Sequence, residues 1–352
     1  MIRKCSFLVI PFLALLSVFT ACSRRGGIVG AQGEFAIGTY CQIDLFEEGR
    51  PDLYNRLFTR LAELDSIFSA NRDDSELSKI NQNAGRKAVE ISPELYTVLE
   101  RALYFAQATE GAFDPTVGPL VKLWGIGTEN ARIPPDEEIQ AALALVDYRD
   151  LELKENASGR PGIAGTAFLK REGMALDLGA IAKGYAADEL VKILNKENIK
   201  RAIIDLGGNI YVWGSKDNGD PWLIGIQDPL SERGNYLGVL ELKGSISVVS
   251  SGVYERFLTG GDGKRYHHIM ELSESGKGKR GYPSENNLLS TTVIAVSSMD
   301  ADALSTSCFV LGYEKGLALA MANGAEIIFI EETNNETGTT IRGSPGAMSI
   351  LK

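Results

Sequence analysis

The chain has 352 residues, 44% hydrophobic and 23% charged, which is enough apolar material for a large core or two lobes. Its formal net charge of −10 argues against a nucleic-acid partner, because phosphate backbones are held by clustered Lys and Arg. An anionic small ligand would need local help from a cation or from backbone N–H groups.

Arg3 and Lys4 precede an apolar run over residues 7–19, and small residues then lead to Cys22. This is the layout of a secretory signal, too short for a transmembrane helix. Phe19-Thr20-Ala21-Cys22 resembles a bacterial lipobox, with Phe19 where Leu is usual. That resemblance implies an acylated Cys22; cleavage at a plain signal site is the alternative. Residues 1–22 read as a lipoprotein signal peptide, 23–33 as a flexible Gly-, Ser- and Arg-rich tether, and 34–352 as the folded part. Cys41 and Cys308 then remain, as buried free thiols or as a bridge. No cysteine pair has zinc-site spacing, and His267 and His268 are the only histidines.

Residues 35–46 alternate loosely and predict a strand. Leu53, Leu57, Leu61, Leu64 and Phe68 recur at helical spacing, predicting an amphipathic helix over 52–68. Ser92-Pro93-Glu94 supplies an N-cap, a first-position proline and a first-turn acid, opening a helix that ends near Thr109. Residues 111–127 read as a loop region, rich in Gly and Pro yet apolar enough at 111–119 to wall a flat ligand. A short helix follows from Pro134 to about Val146. Residues 175–178 read as the end of a strand and 180–195 as a helix. Strands are predicted at 201–206, 209–213, 223–227 and 237–242, and an exposed, mobile insert at 274–287. Helices at 300–311 and 313–322 and a closing strand at 325–330 complete the chain. Helices and strands without strict alternation predict an α+β or mixed α/β fold.

Asp302 and Thr306 are four apart on one predicted helix face, and both are hard oxygen donors suited to Mg²⁺. The same pattern also fits a first-turn acid beside a core threonine. In Asp177-Leu178-Gly179-Ala180-Ile181-Ala182-Lys183, Lys183 opposes the helix dipole, which points to a phosphate or carboxylate partner or to a plain exposed lysine. Asp205-Leu206-Gly207-Gly208-Asn209 offers a glycine turn that allows close backbone approach, or is merely a turn. Residues 250–256 and 265–269 add hydroxyls, arginines and both histidines, as phosphate contacts or as a cross-strand pair.

Taken in order, Ile37-Gly38-Thr39, Phe68-Ser69, Ser75-Glu76-Leu77, the 111–119 loop, the 177–185 turn, Asp205 to Asn209, Ser251 to Arg256, His267-His268-Ile269 and Ala301 to Thr306 resemble the ApbE family, the FAD:protein FMN transferases. The resemblance runs from about residue 34 to 330. It implies a T-fold-like core with a smaller attached lobe and FAD in the cleft between them. It implies Mg²⁺ held by the Asp302 carboxylate, the Thr306 hydroxyl and the Ala180 carbonyl, and catalytic roles for His268, Asp302 and Lys183. It implies FAD contacts from Gly38, Thr39, Ser75, Glu76, Leu77, Phe113, Asp114, Asp177, Lys183, Gly207, Gly208, Asn209, Asp228, Ser251, Gly252 and His268. The partners implied are FAD, periplasmic flavoprotein subunits carrying an acceptor threonine, and a membrane reached through the Cys22 lipid. An FAD pyrophosphatase and a non-catalytic flavin-binding lipoprotein are the alternatives. Two departures stand out. Asn71 follows Phe68-Ser69 where relatives often carry an aromatic, and Met270-Glu271-Leu272 stands where they commonly read x-Asp-Pro.

Overall fold

The computed structural model describes residues 30–46, 50–156, 160–261, 263–274, 278–333 and 338–352. The lipobox, Cys22 and the tether up to residue 29 lie outside the described residues.

The chain opens with strands β1 (Gln32–Ala36) and β2 (Thr39–Leu45), then helices α1 (Pro51–Phe68) and α2 (Glu76–Gln82). Strand β3 (Val89–Ile91) leads to α3 (Pro93–Ala108), α4 (Gly118–Trp124) and α5 (Asp136–Leu143). Strands β4 (Leu151–Glu155) and β5 (Gly165–Leu169) precede α6 (Ala182–Lys196). Strands β6 (Arg201–Leu206), β7 (Asn209–Gly214), β8 (Trp222–Gln227), β9 (Tyr236–Leu242) and β10 (Ile246–Gly252) follow, with the short β11 (Phe257–Thr259) and β12 (Arg265–His267). Strand β13 (Leu288–Ala295), helix α7 (Ser298–Ala322), strands β14 (Glu326–Glu332) and β15 (Thr339–Gly343) and helix α8 (Pro345–Ile350) close the fold.

The organising element is one eight-stranded antiparallel sheet, ordered β1-β2-β6-β7-β10-β13-β14-β15. The alternation of its central strands explains why both faces are covered. Val293, Ile327 and Phe329 point into a core shared with α1, α3, α6 and α7. Their neighbours Ile294, Ile328 and Ile330 point into a second core, closed by β8, β9 and α8. A three-stranded sheet, β3-β5-β4, carries the segment between α2 and α6. A third cluster, around Leu120, Trp124, Ile139 and Met270, joins α4 and α5 to the chain beyond β12. This is the expected α+β mixture. Among the described residues no helix is long and apolar enough to cross a membrane.

Local chemistry accounts for the ends of several elements. Ser92 Oγ accepts from Leu95 N at 3.3 Å at the start of α3, where the cap was expected. The predicted helices at 300–311 and 313–322 are two limbs of α7, joined at Gly312, whose φ of 76° and ψ of 179° a residue with a Cβ would resist.

Four expectations need correction. Residues 118–124 form α4, because Pro119 stands in the first turn, where its missing N–H costs nothing. Residues 175–178 make only an isolated parallel bridge, Ala175 to Val117, and α6 begins at Ala182 rather than at 180. The 274–287 segment is not a plain exposed insert. Gly281 O accepts from the buried Trp124 Nε1 at 2.9 Å, and Pro283 and Ser284 are buried. Strand β13 had no counterpart among the predicted strands, although its residues are buried almost throughout. Cys41 and Cys308 are both free and buried, the first of the two readings offered for them.

Candidate functional site

The two-residue turn between β6 and β7 lies against the first residue of β2 and beside Glu255. Gly207 and Gly208 take φ of 66° and 91°, values that favour glycine. The Asp205 carboxylate accepts from Gly208 N at 2.9 Å and fixes the turn. A Cβ on Gly207 would overlap the Thr39 hydroxyl, so β2 presses its first residue onto the turn. Arg256 Nη2 donates to Gly38 O at 3.1 Å, tying the β1–β2 hairpin to the segment after β10.

Helix α7 supplies the second wall. Asp302 is 2% exposed, yet its carboxylate is fully engaged. Oδ2 accepts from Gly184 N at 2.9 Å and Oδ1 from Lys183 Nζ at 3.3 Å. Lys183 Nζ also donates to Gly179 O at 2.8 Å. The lysine that opposes the helix dipole is thus held by a carboxylate and a carbonyl. Because Gly184 N turns to Asp302, the carbonyl four residues back, on Ala180, is not its partner. Thr306 Oγ1 lies 3.2 Å from Ser251 Oγ, which lies 2.7 Å from Ser305 Oγ. Sequence spacing put Asp302 and Thr306 on one face; the fold adds Ser251 from β10 and the Gly179–Ala180 turn.

The third wall carries titratable groups. His268 Nδ1 and Arg256 O are 3.3 Å apart, so Nδ1 is the protonated nitrogen and Nε2 the acceptor. Desolvation, then the charge of Arg256, lowers the imidazole to about 3. It is therefore neutral at physiological pH. Desolvation raises the Glu255 carboxyl, with Arg233, Lys183 and Arg256 opposing. Glu255 is exposed and His268 half-buried, so both keep open surface. Glu255 Oε1 is 3.6 Å from where a Cβ on Gly208 would stand.

The remaining predicted residues have structural work. Phe113 is buried in the core, edge-on to Phe105, and its ring cannot stack on a flavin. Asp114 accepts from Thr116 N at 2.8 Å, Thr116 Oγ1 at 2.7 Å and Tyr148 N at 2.9 Å, and so staples the loop. Ser75 caps α2, Glu76 Oε1 accepts from Ser92 N at 2.5 Å, and Leu77 is core. Asn209 is fully buried behind the glycine turn, accepting from Ser298 Oγ at 2.8 Å. Asp177 Oδ1 accepts from Gly179 N at 2.8 Å and shapes the turn before α6. Asp228 accepts from Leu230 N at 3.0 Å and Ser231 Oγ at 2.6 Å in the β8–β9 loop. Gly252 is buried under the Tyr254 ring. Asn71 is exposed just beyond α1. Glu271 is 1% exposed and accepts from Ser273 N at 3.1 Å and Ser284 Oγ at 3.3 Å. It is a loop staple. Sequence reasoning named neither Glu255 nor Ser305 as a site residue, although both lie inside the 251–256 and 301–306 segments that carry the resemblance. Among the described residues no group of three or more His, Cys, Asp and Glu gathers as a metal cluster.

Backbone amides at a glycine turn, a lysine and an arginine, a buried carboxylate and a row of hydroxyls define a protein that handles a phosphorylated ligand. The comparisons carry this to a family. Residues 37–329 match the ApbE family, and the chain belongs to it. A Treponema pallidum protein named FAD:protein FMN transferase is 40% identical over 315 residues, covering 85% of this chain and 84% of its own. Among solved structures, the flavin transferase ApbE from Vibrio cholerae superposes with a TM-score of 0.77 at 30% identity, covering 91% of this chain and 98% of that one. The ApbE protein of Thermotoga maritima gives 0.78 at 31%, covering 92% and 99%.

Proposed function

We propose that this protein is an FAD:protein FMN transferase that moves the FMN half of FAD onto a threonine hydroxyl of a partner flavoprotein and releases AMP. When water takes the place of the threonine, the products are FMN and AMP. Relatives carrying that name support the activity, and one observation carries the site. A cation, the Lys183 ammonium, already bridges the buried Asp302 carboxylate and a carbonyl of the 179–180 turn.

That carboxylate-plus-carbonyl chemistry is what a hard divalent cation takes, so the residues present fit Mg²⁺. Asp302, Thr306 and the Ala180 carbonyl would hold it. When bound, it supplies positive charge to the pyrophosphate. The chain's own residues do the rest. The Gly207 amide and Arg256 bind phosphate oxygens and orient the pyrophosphate, on a turn that Asp205 holds through Gly208 N. Lys183 adds charge beside the leaving AMP. His268, neutral with Nδ1–H turned to Arg256, offers Nε2 to the proton of the incoming hydroxyl.

The deciding experiment mixes the soluble domain, FAD, Mg²⁺ and a candidate periplasmic flavoprotein subunit and weighs the products. An FMN-sized gain on a partner threonine, lost with EDTA, is expected. Asp302→Asn should slow FAD turnover by about 100-fold or more, since it removes charge at the one fully buried donor. Intact FAD after incubation with the parent protein would leave only cofactor binding. The Cys22 motif supports a periplasmic lipoprotein. Cys22→Ser should move the protein from the membrane to the soluble fraction, and an unchanged fractionation would exclude the anchor.

A further inference from the structure

We infer that the outer edge of β1, which no other strand pairs among the described residues, is the dock for the acceptor protein, which adds an extended segment there as an extra strand and leads its hydroxyl residue to the Gly207–Gly208 turn. The inference rests on the transferase reading and names the surface that reading leaves unassigned.

The eight-stranded sheet treats its two edges differently. On β15, Arg342 pairs with Glu331 and Glu314, and α8 follows at once. Strand β1, Gln32-Gly33-Glu34-Phe35-Ala36, has no Lys, no Pro and no bulge, and Glu34 is its one charged residue. It carries an aromatic instead. Phe35 is 85% exposed and Tyr40, its cross-strand partner, 50%. Their rings meet edge-on with centroids 5.3 Å apart, and the Tyr40 ring also lies over Gly33.

The hairpin geometry says which backbone groups are on offer. Ile37 and Gly38 form a two-residue turn with φ of 44° and 72°. In such a hairpin the flanking pair, Ala36 and Thr39, is hydrogen-bonded, and pairs then alternate. Glu34 and Ala36 thus bond inward to β2. Gly33 and Phe35 turn their N–H and C=O groups to the open edge. These are the two residues beside the aromatic pair, so backbone pairing and apolar contact coincide.

The edge also leads to the chemistry. Its tip is the Gly38 carbonyl held by Arg256 and the Thr39 side chain pressed on Gly207. Phe35 is two residues from Ile37, about 7 Å along a strand. A strand seated beside Gly33 and Phe35 therefore continues directly to the Gly207–Gly208 turn. Only a polypeptide meets both requirements, paired backbone and a side chain delivered at the end of the strand.

The test separates docking from chemistry, using as acceptor the flavoprotein subunit labelled in the mass-spectrometric assay above. Phe35→Pro deletes the outward N–H and the ring but none of the bonds to β2. Tyr40→Ser removes the second ring and keeps every backbone group. Both variants should raise the KM for the acceptor about tenfold or more, with kcat, FAD affinity and acceptor-free FMN release within about twofold of the parent. An unchanged KM in both variants overturns the dock alone. So does a parallel fall in FAD affinity, which would make the hairpin part of the nucleotide site. A parent dimer that both variants dissociate without affecting transfer would assign the edge to a second copy of the chain. A parent that labels no protein overturns the transferase reading and the dock with it.

Discussion

At the scale of single residues, the site depends on what each charged group is held against. Asp302 is buried, and its two carboxylate oxygens accept from a lysine and from a backbone amide. For His268, desolvation and the charge of Arg256 both work against protonation and bring it to about 3. With only two histidines in the chain, NMR can follow each imidazole separately. Without FAD, His268 should show no titration between pH 5 and 8, and a midpoint near 6.5 would remove it as a neutral acceptor. Asp302, Thr306 and the glycine turn were legible because spacing alone places them on one helix face or at one strand end. Phe113 and Asp114 were misleading for a physical reason. A Gly- and Pro-punctuated aromatic loop reads alike whether its side chains face a ligand or the core, and here Phe113 packs on Phe105.

At the scale of elements, the pairing of α6 with α7 positions the cation and its carboxylate. Gly184 makes it possible, because a Cβ there would overlap the Ser298 carbonyl at the start of α7. Gly184→Ala should cost about 1–3 kcal/mol by overpacking, despite alanine's better helix propensity. It should also weaken FAD turnover, since Gly184 N is the amide bonded to Asp302. Thermal unfolding and FAD turnover of one variant check both; an unchanged midpoint would mean the helices part easily. This contact left no trace in the sequence, where Gly184 is an unremarkable glycine in a predicted helix. Strand β13 was illegible for a related reason. Its two faces meet two different cores, with Val293 in one and Ile294 in the other, so the apolar–polar alternation that betrays a half-buried strand is missing. The amphipathic α1, with one wet face, was legible for the converse reason.

At the scale of the whole molecule, the α+β character followed from the mixture of periods, but the order of the sheet did not. Which strands pair across β7-β10-β13 is settled by packing between residues 34 to 48 positions apart, and no local pattern records it. Such long-range packing also buries carboxyls far from the cleft, and they set a pH dependence for the fold. Asp114 staples the loop before α4, and Asp188 accepts from Ser298 N at 2.9 Å and Met299 N at 3.0 Å at the start of α7. Desolvation raises each from 3.8 to about 6, although each accepts backbone hydrogen bonds that pull the other way. A folded-state pKa raised above the unfolded one gives stability that is fully present below 3.8 and lost as pH rises through about 6. For a carboxyl as buried as Asp114 the loss is about 3 kcal/mol. Asp114→Asn has nothing to ionise there. It should be less stable than the parent at pH 4, because the amide nitrogen cannot accept from Tyr148 N as a carboxyl oxygen can even when protonated. Between pH 4 and 6.5 the parent should lose more of its unfolding free energy than the variant, by about 2 kcal/mol. Urea unfolding of both proteins at several pH values measures that difference, and equal slopes would mean that Asp114 ionises in the folded protein as freely as in the unfolded chain.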